Sequence, residues 1–532
     1  NFQQNKQANT IDGYTTIGPT EFLSKTQSIY NSSYWGYNLS GDVLYQHRFP
    51  KRRRTLSLDV SGTFNNKTGD ATQTAISSYG VVEDSTSLNQ QANSSTSSYT
   101  VSGDASYTEP AGKTGMVQIN YSPSYTWNKA DKETSNYDSL SMAYSGLDTL
   151  LSNKYDNTYM THRGGVSYRY SNRAMHFMLG VDAQYALLSG QEVFPYSFSL
   201  NRSFINVLPH AMFTYRFKNN SNLRLFYRTS TSPPTVTQLQ SVIDNSNPLL
   251  LTTGNPDLKQ SYTHNVMLRY GLAGGSKEQA FFAFAAVSYT QQYVANSTII
   301  AQRDTLLAND ILLRAGSQLT QPVNLNGNLT ASTFLTYGLP IPKIKCNLNL
   351  NAGFSFSGTP GLVNGLRNVA NTYNANAGFV LGSNISEKID FTLSYTANYN
   401  VVRNTLQTSA NSNYFNHTAG VKFNWLFWKG FVFNTNLLNN LYAGVSDGYN
   451  LDVFLWNASL GYKFLKDQSL EVKAGVNDIL NQNTGITRTI TDTYIEDSKT
   501  AVLKRYLLVT ITYNIRYFNA GQKPGKVKGS VE

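Results

Sequence analysis

Six histidines, at positions 47, 162, 176, 210, 264 and 417, and a single cysteine, Cys346, are the residues most suited to metal or nucleophile chemistry in this sequence. No two histidines stand at His-x-His or His-x-x-x-His spacing, the separations that bring two imidazoles to one ion, so no metal site is expected. One thiol makes neither an internal disulfide nor a Cys-based zinc site. No Gly-rich phosphate loop, paired-carboxylate motif or Ser/His/Asp signature occurs in a fitting setting. The residues therefore point away from an enzyme and call for no cofactor. Four others, Arg163, Asp182, His210 and Arg228, share a different property, since each falls at the polar position of an alternating run. Their meaning depends on what those runs build.

Composition narrows the answer. Charged residues make up 14% of 532 and aromatic ones 13%, with 36 Tyr and 27 Phe; an ordinary soluble domain is about 25% charged. The chain is polar through Asn, Ser and Thr instead. Its longest purely apolar run, 280–287, is far short of the roughly 18 residues of a membrane helix. The net charge of +11 invites a nucleic-acid reading, but the basic residues are scattered, and no recognition helix or aromatic platform accompanies the one tight cluster, Lys51 to Arg54. No nucleic-acid partner is expected, and a basic balance suits a protein among anionic lipids.

The dominant signal is a period of two, which sends every second side chain to one face of a strand. In 117–128, Val117, Ile119, Tyr121, Pro123, Tyr125 and Trp127 alternate with six polar residues. Segment 389–401 does the same from Ile389 to Val401. About 19 such segments recur, beginning near 34, 55, 97, 115, 159, 174, 205, 222, 260, 279, 319, 344, 370, 388, 412, 431, 451, 469 and 503. Their connections alternate between short, such as 50–54, 171–173 and 428–430, and long, such as 66–96, 129–158, 233–259 and 293–318. That asymmetry predicts an all-β transmembrane antiparallel β-barrel with short periplasmic turns and long extracellular loops. Aromatics gather at opposite ends of ascending and descending strands, including Trp425, Phe427, Tyr513, Tyr517 and Phe518 near the short turns, as two interfacial girdles require. Bacterial single-chain barrels have even strand numbers, so about 19 visible strands predict a larger barrel, of 22 if three strands precede the chain. The expected organisation is 1–33 as an extracellular loop or truncated upstream barrel segment, 34–518 as barrel, and 519–532 as a periplasmic polar tail.

Within such a wall the four charged residues point inward, where a lumen handling polar solute needs hydrogen bonds and fixed charge. Arg228, near the upper end of its strand, and Arg163, near the start of a descending one, would face an entering anionic or sugar-like ligand. The competing expectation is that these residues pair with each other or with a plug. Gly254-Asn255-Pro256-Asp257 reads first as a turn. Cys346 falls in register with Ile344, Leu348 and Leu350, and so should face lipid.

The stretch from Tyr227 to Tyr270, with its Ser232-Pro233-Pro234 strand end and the motif Gly254-Asn255-Pro256-Asp257-Leu258-Lys259, together with Ala474 to Asn481 and the terminal Tyr506 to Phe518, resembles the barrel of TonB-dependent receptors, particularly the outer-membrane β-barrel family of Bacteroidota. The resemblance spans roughly 30–518. It implies residence in the bacterial outer membrane and uptake of a scarce solute, an oligosaccharide, peptide or iron chelate. It also implies partners: outer-membrane lipid and lipopolysaccharide, the TonB system acting through a plug not present in this chain, and a surface lipoprotein. Where the family often has Pro or Glu after the Leu-Lys of its loop motif, this chain has Gln260-Ser261, which leaves the ligand class open. The alternatives are a structural or assembly component of an outer-membrane complex, a passive porin and a soluble repeat adhesin.

Overall fold

The alternating segments assemble into one antiparallel sheet. The computed structural model describes residues 2–17, 21–79, 84–149, 151–194, 197–239, 243, 250–274, 279–306, 312–315, 317–383, 385–386, 388–408, 411–444, 451–465, 468–490, 495–500 and 502–514. The main sheet has 24 strands; without Phe2–Ile17 and the four short strands Ala143–Leu147, Leu250–Thr252, Tyr293–Ile300 and Gln318–Leu325, 24 less five leaves 19. These run from Glu21–Arg48 to Tyr506–Tyr513, each antiparallel to the one before. Phe2–Ile17 pairs only with the first part of Glu21–Arg48, with Phe2 opposite Tyr37 and Ile17 opposite Glu21. It therefore lies beyond the membrane-crossing stretch, and it shows no alternation because Gln4, Lys6 and Thr10 on one face and Gln3, Asn5 and Asn9 on the other are all polar.

Three expectations need correction. The segment starting near 319 is not part of the wall: Gln318–Leu325 forms a loop hairpin with Tyr293–Ile300, and the wall strand is Asn328–Ile341, paired with Ala280–Gln291. The connections 66–96 and 129–158 are mostly sheet, because strands Thr55–Tyr79, Asp84–Ala111 and Gly115–Asp138 run on well past a single crossing. Hydroxyl and amide pairs hold this extension together, such as Thr26 with Ser77 at 3.0 Å and Asn66 to Ser97 at 2.8 Å, so Ser- and Thr-rich sequence there is strand. Cys346 is buried, at 3% exposure, because it opens its strand against the turn, where its Sγ donates to the Ile344 carbonyl at 3.3 Å.

Short turns close the hairpins at one rim, where Asn220 takes the left-handed conformation (φ 62°) that Asn tolerates. At the turn after Arg48 the basic cluster is tied down. Glu109 accepts from Arg54 Nε at 2.7 Å and Nη2 at 2.9 Å, from Lys51 Nζ at 2.5 Å and from the Tyr107 hydroxyl at 2.7 Å. The tail 519–532 and the aromatics Tyr517 and Phe518 lie outside the described residues.

The two faces of the sheet divide as a membrane wall requires. Exposed apolar side chains such as Ile119, Val166, Leu179, Val207, Val421 and Trp425 occupy one face. Asn120, Arg163, Asp182 and His210 occupy the other, which is the lumen wall.

Candidate functional site in the lumen wall

Three neighbouring strands, Asn153–Ser171, Met175–Phe194 and Phe198–Arg216, bring Arg163, Asp182 and His210 together. Register does this directly: Arg163 stands opposite Gln184, Gly165 opposite Asp182, and Gly180 opposite His210. Asp182 is 2% exposed. One of its oxygens accepts from Arg163 Nε at 2.9 Å and is also contacted by Nη2, while the other accepts from Asn120 Nδ2 at 3.2 Å. His210 Nδ1 lies 3.6 Å from the carboxylate, too long for a hydrogen bond.

Two glycines make the cluster fit. A Cβ on Gly165 would stand 1.8 Å from Asp182 Oδ1, and one on Gly180 would stand 2.3 Å from His210 Nε2. Glycine in a strand interior weakens the strand and marks a close approach; here the close neighbours are the carboxylate and the imidazole. A buried carboxylate is tolerated only when paired and hydrogen-bonded, and Arg163 and Asn120 supply that.

Arg228 is placed differently. It stands opposite His210 on Ser221–Ser232 but is exposed to the lumen and has no ion pair among the described residues. Arg163 thus pairs with Asp182, and not with Arg228. Its strand begins at Asn153, not near 159, so Arg163 lies midway along the strand and not at the mouth. Asn120 and the two glycines join the site without a place among the sequence candidates; the Gly164-Gly165 pair inside an alternating run is a signal for Gly165 alone.

Across the sheet, strands 366–383 to 470–477 carry a lumen face rich in amides, with Asp390, Lys422, Lys463, Glu471 and Lys473 as its charges in the half toward the short turns. Asn374 donates to Asn400 at 2.8 Å and Asn376 to Asn374 at 3.2 Å, while the Oδ1 atoms of Asn416 and Asn436 are buried without a hydrogen-bond partner among the described residues. Asp390, Lys422, Asn436, Asn457 and Lys473 line a groove of about 430 Å3 there.

Loops fold over the mouth. Leu239 and Leu258 pack on Leu188 and Leu200 of the wall, all at most 6% exposed. The Gly254 to Lys259 motif makes this possible: Asn255 Nδ2 donates to the Pro322 carbonyl at 2.9 Å, its Oδ1 accepts from Asp257 N at 2.9 Å, and Asp257 pairs with Arg202 at 3.0 Å. Gln260 donates to the Tyr159 hydroxyl at 2.6 Å and accepts from Asn206 at 2.8 Å. Leu250–Thr252 pairs in parallel with Gln318–Leu325, and Ser297 and Thr298 pair with Leu362 and Val363, so the two long loops form one assembly. Among the described residues, no group of three or more His, Cys, Asp or Glu is placed to hold a metal ion.

Solved structures similar to the chain include a copper transporter, OprC, at 9% identity, covering 91% of this chain and 70% of that one, with a TM-score of 0.41. Another is a double mutant of the hemophore receptor HasR of Serratia marcescens with its hemophore and heme, at 11% identity, covering 95% and 75%, with a TM-score of 0.43. A third is the ferric-catecholate import receptor Fiu of E. coli K12, at 10% identity, covering 96% and 80%, with a TM-score of 0.42. Comparison with the curated proteins gives no match. The assignment rests on the sequence family that matches residues 47–513, nearly the whole wall. With that match and the two-faced antiparallel wall, this chain belongs to the outer membrane protein beta-barrel family and resides in the bacterial outer membrane.

Proposed function

We propose that the chain is the barrel of a TonB-dependent uptake receptor, which takes a scarce polar solute at the cell surface and passes it inward when the inner-membrane TonB system pulls on a plug. The observation that carries this reading is the size and chemistry of the lumen. Among the described residues, a wall of 19 successive strands exceeds the 16–18 of porins and approaches the roughly 22 of plugged transporters. Its inner surface offers an exposed Arg228 beside an Asp182 whose oxygens are already bonded, with a hydrogen-bonding amide wall opposite. Fixed donors of this kind hold a polar solute without chemistry, and the role is non-catalytic. Arg228 is the first residue proposed to meet the solute; Arg163, Asp182 and His210 hold the wall beside it. Oligosaccharide, peptide and iron chelate are the solute classes in view.

The test compares cells with and without the TonB partner for uptake of a labelled oligosaccharide, a labelled peptide and a ferric chelate. TonB-dependent uptake of one class is the expected result. Uptake of all three without TonB would make the protein a passive porin, and uptake of none would make it a structural or assembly component.

A further inference from the structure

The lipid-facing surface carries a motif that recurs in three hairpins. Tyr121, Tyr227 and Tyr395 each lie six residues after the first residue of an ascending strand, Gly115, Ser221 and Ile389. They stand opposite Gly164, Val266 and Ala419. In each case a histidine sits two residues nearer the mouth on the descending strand: His162, His264 and His417. Two positions along a strand keeps the same face, so each histidine is the diagonal neighbour of its tyrosine. These residues alternate with the lumen set, which places all six on the lipid side.

Depth follows from counting. His162 and His264 are nine residues, and His417 ten, from the short-turn ends Ser171, Ala273 and Phe427. A membrane crossing takes about 9–11 residues of tilted strand. At about 3.3 Å per residue and a tilt near 40°, the rings stand roughly 24 Å above the short turns, the far edge of an apolar band about 25 Å tall. That edge is the outer interface, where hydrocarbon gives way to lipid headgroups.

Hydrogen bonding separates the three pairs. Tyr121 OH meets His162 Nδ1 at 2.7 Å and Tyr227 OH meets His264 Nδ1 at 3.0 Å, with rings stacked at 18° and 16°. With the phenol donating to Nδ1, the ring proton sits on Nε2, and neither Nε2 has a partner among the described residues. In the third pair the rings tilt by 56°, and His417 Nε2 is already engaged with Asn439 Oδ1 at 2.9 Å; Asn439 in turn donates to Asp452 at 2.7 Å. An N–H facing hydrocarbon would be costly. At the interface its available acceptors are headgroup oxygens, and phosphate is the strongest of these. A protein of net charge +11 adds long-range attraction for such anions.

We propose that the Tyr121–His162 and Tyr227–His264 pairs bind the phosphate of a phosphorylated outer-leaflet lipid through His Nε2–H, and that the Tyr395–His417 pair does not. Each pair presents a donor whose tautomer and aim are set by the neighbouring phenol.

The test uses the full chain folded in detergent, with native mass spectrometry of retained lipid and heat-modifiable gel mobility as the fold control. The probes are a bisphosphorylated lipid-A-type glycolipid, its dephosphorylated form, and inorganic phosphate as competitor. The wild type is expected to retain the phosphorylated glycolipid at least fivefold better than the dephosphorylated one, with no displacement by millimolar phosphate. The double variant His162→Phe/His264→Phe, which keeps ring area, is expected to lose that preference, while His417→Phe keeps it. His162→Gln/His264→Gln, with an amide donor, should restore part of it. The proposal is overturned by equal retention of the two glycolipids, by displacement with free phosphate, by an unchanged double variant, or by equal loss in His417→Phe. Should the double variant fail the fold control, Tyr121→Phe/Tyr227→Phe decides: an unchanged preference overturns the proposal.

Discussion

The two sides of the lumen solve one problem with opposite chemistry. Around strands 115–138 to 221–232 the inner face concentrates charge, and its buried carboxylate takes Arg163 and Asn120 as partners in a space cleared by glycine. Around strands 366–383 to 470–477 it is built of amides that satisfy one another only in part. The first wall satisfies its carboxylate and leaves Arg228 and the buried His210 Nδ1 without hydrogen-bond partners among the described residues; the second has amide acceptors still open. Pairing on the charged side fixes geometry, and the amides on the other side, beside its few charges, keep hydrogen-bonding capacity without the desolvation cost of further charge.

The largest effect should separate the walls at two glycines. Gly165→Val pushes a side chain into Asp182 Oδ1 and against the Val181 carbonyl, 2.8 Å from the added Cβ; splitting the buried pair costs about 3–5 kcal/mol. The denaturant midpoint of the folded barrel should fall accordingly. Gly353→Ala on the amide side meets only the movable end of Asn376, at 2.7 Å, and should cost about 1 kcal/mol. Equal losses would erase the distinction.

Next comes the mouth. Leu258→Ala empties a position only 2% exposed and should weaken loop docking by about 2–5 kcal/mol, read as faster protease cleavage within 233–260 while the wall strands keep their gel mobility. A third change should touch function alone. Arg228→Gln leaves stability within about 0.5 kcal/mol, as for an exposed side chain, yet lowers uptake of whichever solute is TonB-dependent. A stability loss as large as that of Gly165→Val would mean Arg228 belongs to the structural cluster. Asn436→Ala should give the smallest effect on folding, again within about 0.5 kcal/mol, because the Oδ1 it removes has no partner to lose. A marked loss there would show that the amide wall is bonded as fully as the charged one.

Much of this is legible in the residues. Alternation finds the crossing strands because lipid outside and water inside impose a period of two; the same rule puts Arg163, Asp182, His210 and Arg228 on one face. It fails where that boundary condition ends. Phe2–Ile17 and the upper reaches of 55–79 and 84–111 are polar on both faces and read as loop, while Gln318–Leu325 alternates although it lies in a loop hairpin. Which inward residues touch is a matter of inter-strand stagger, and no single segment encodes that. Hence alternation marks Asp182 as inward but does not single out Arg163 as its partner, and parity alone sends Cys346 to the lipid face, blind to the turn that covers it.

The parallel pairings between the long loops have a consequence for how the surface is cut. Because Leu250–Thr252 is bonded to Gln318–Leu325, and Ser297 and Thr298 to the strand end at Leu362 and Val363, severing the backbone once in either loop leaves both new ends held by a neighbour. A single nick should therefore yield a clipped barrel that migrates intact until boiled, and the loops should open together as one cooperative flap.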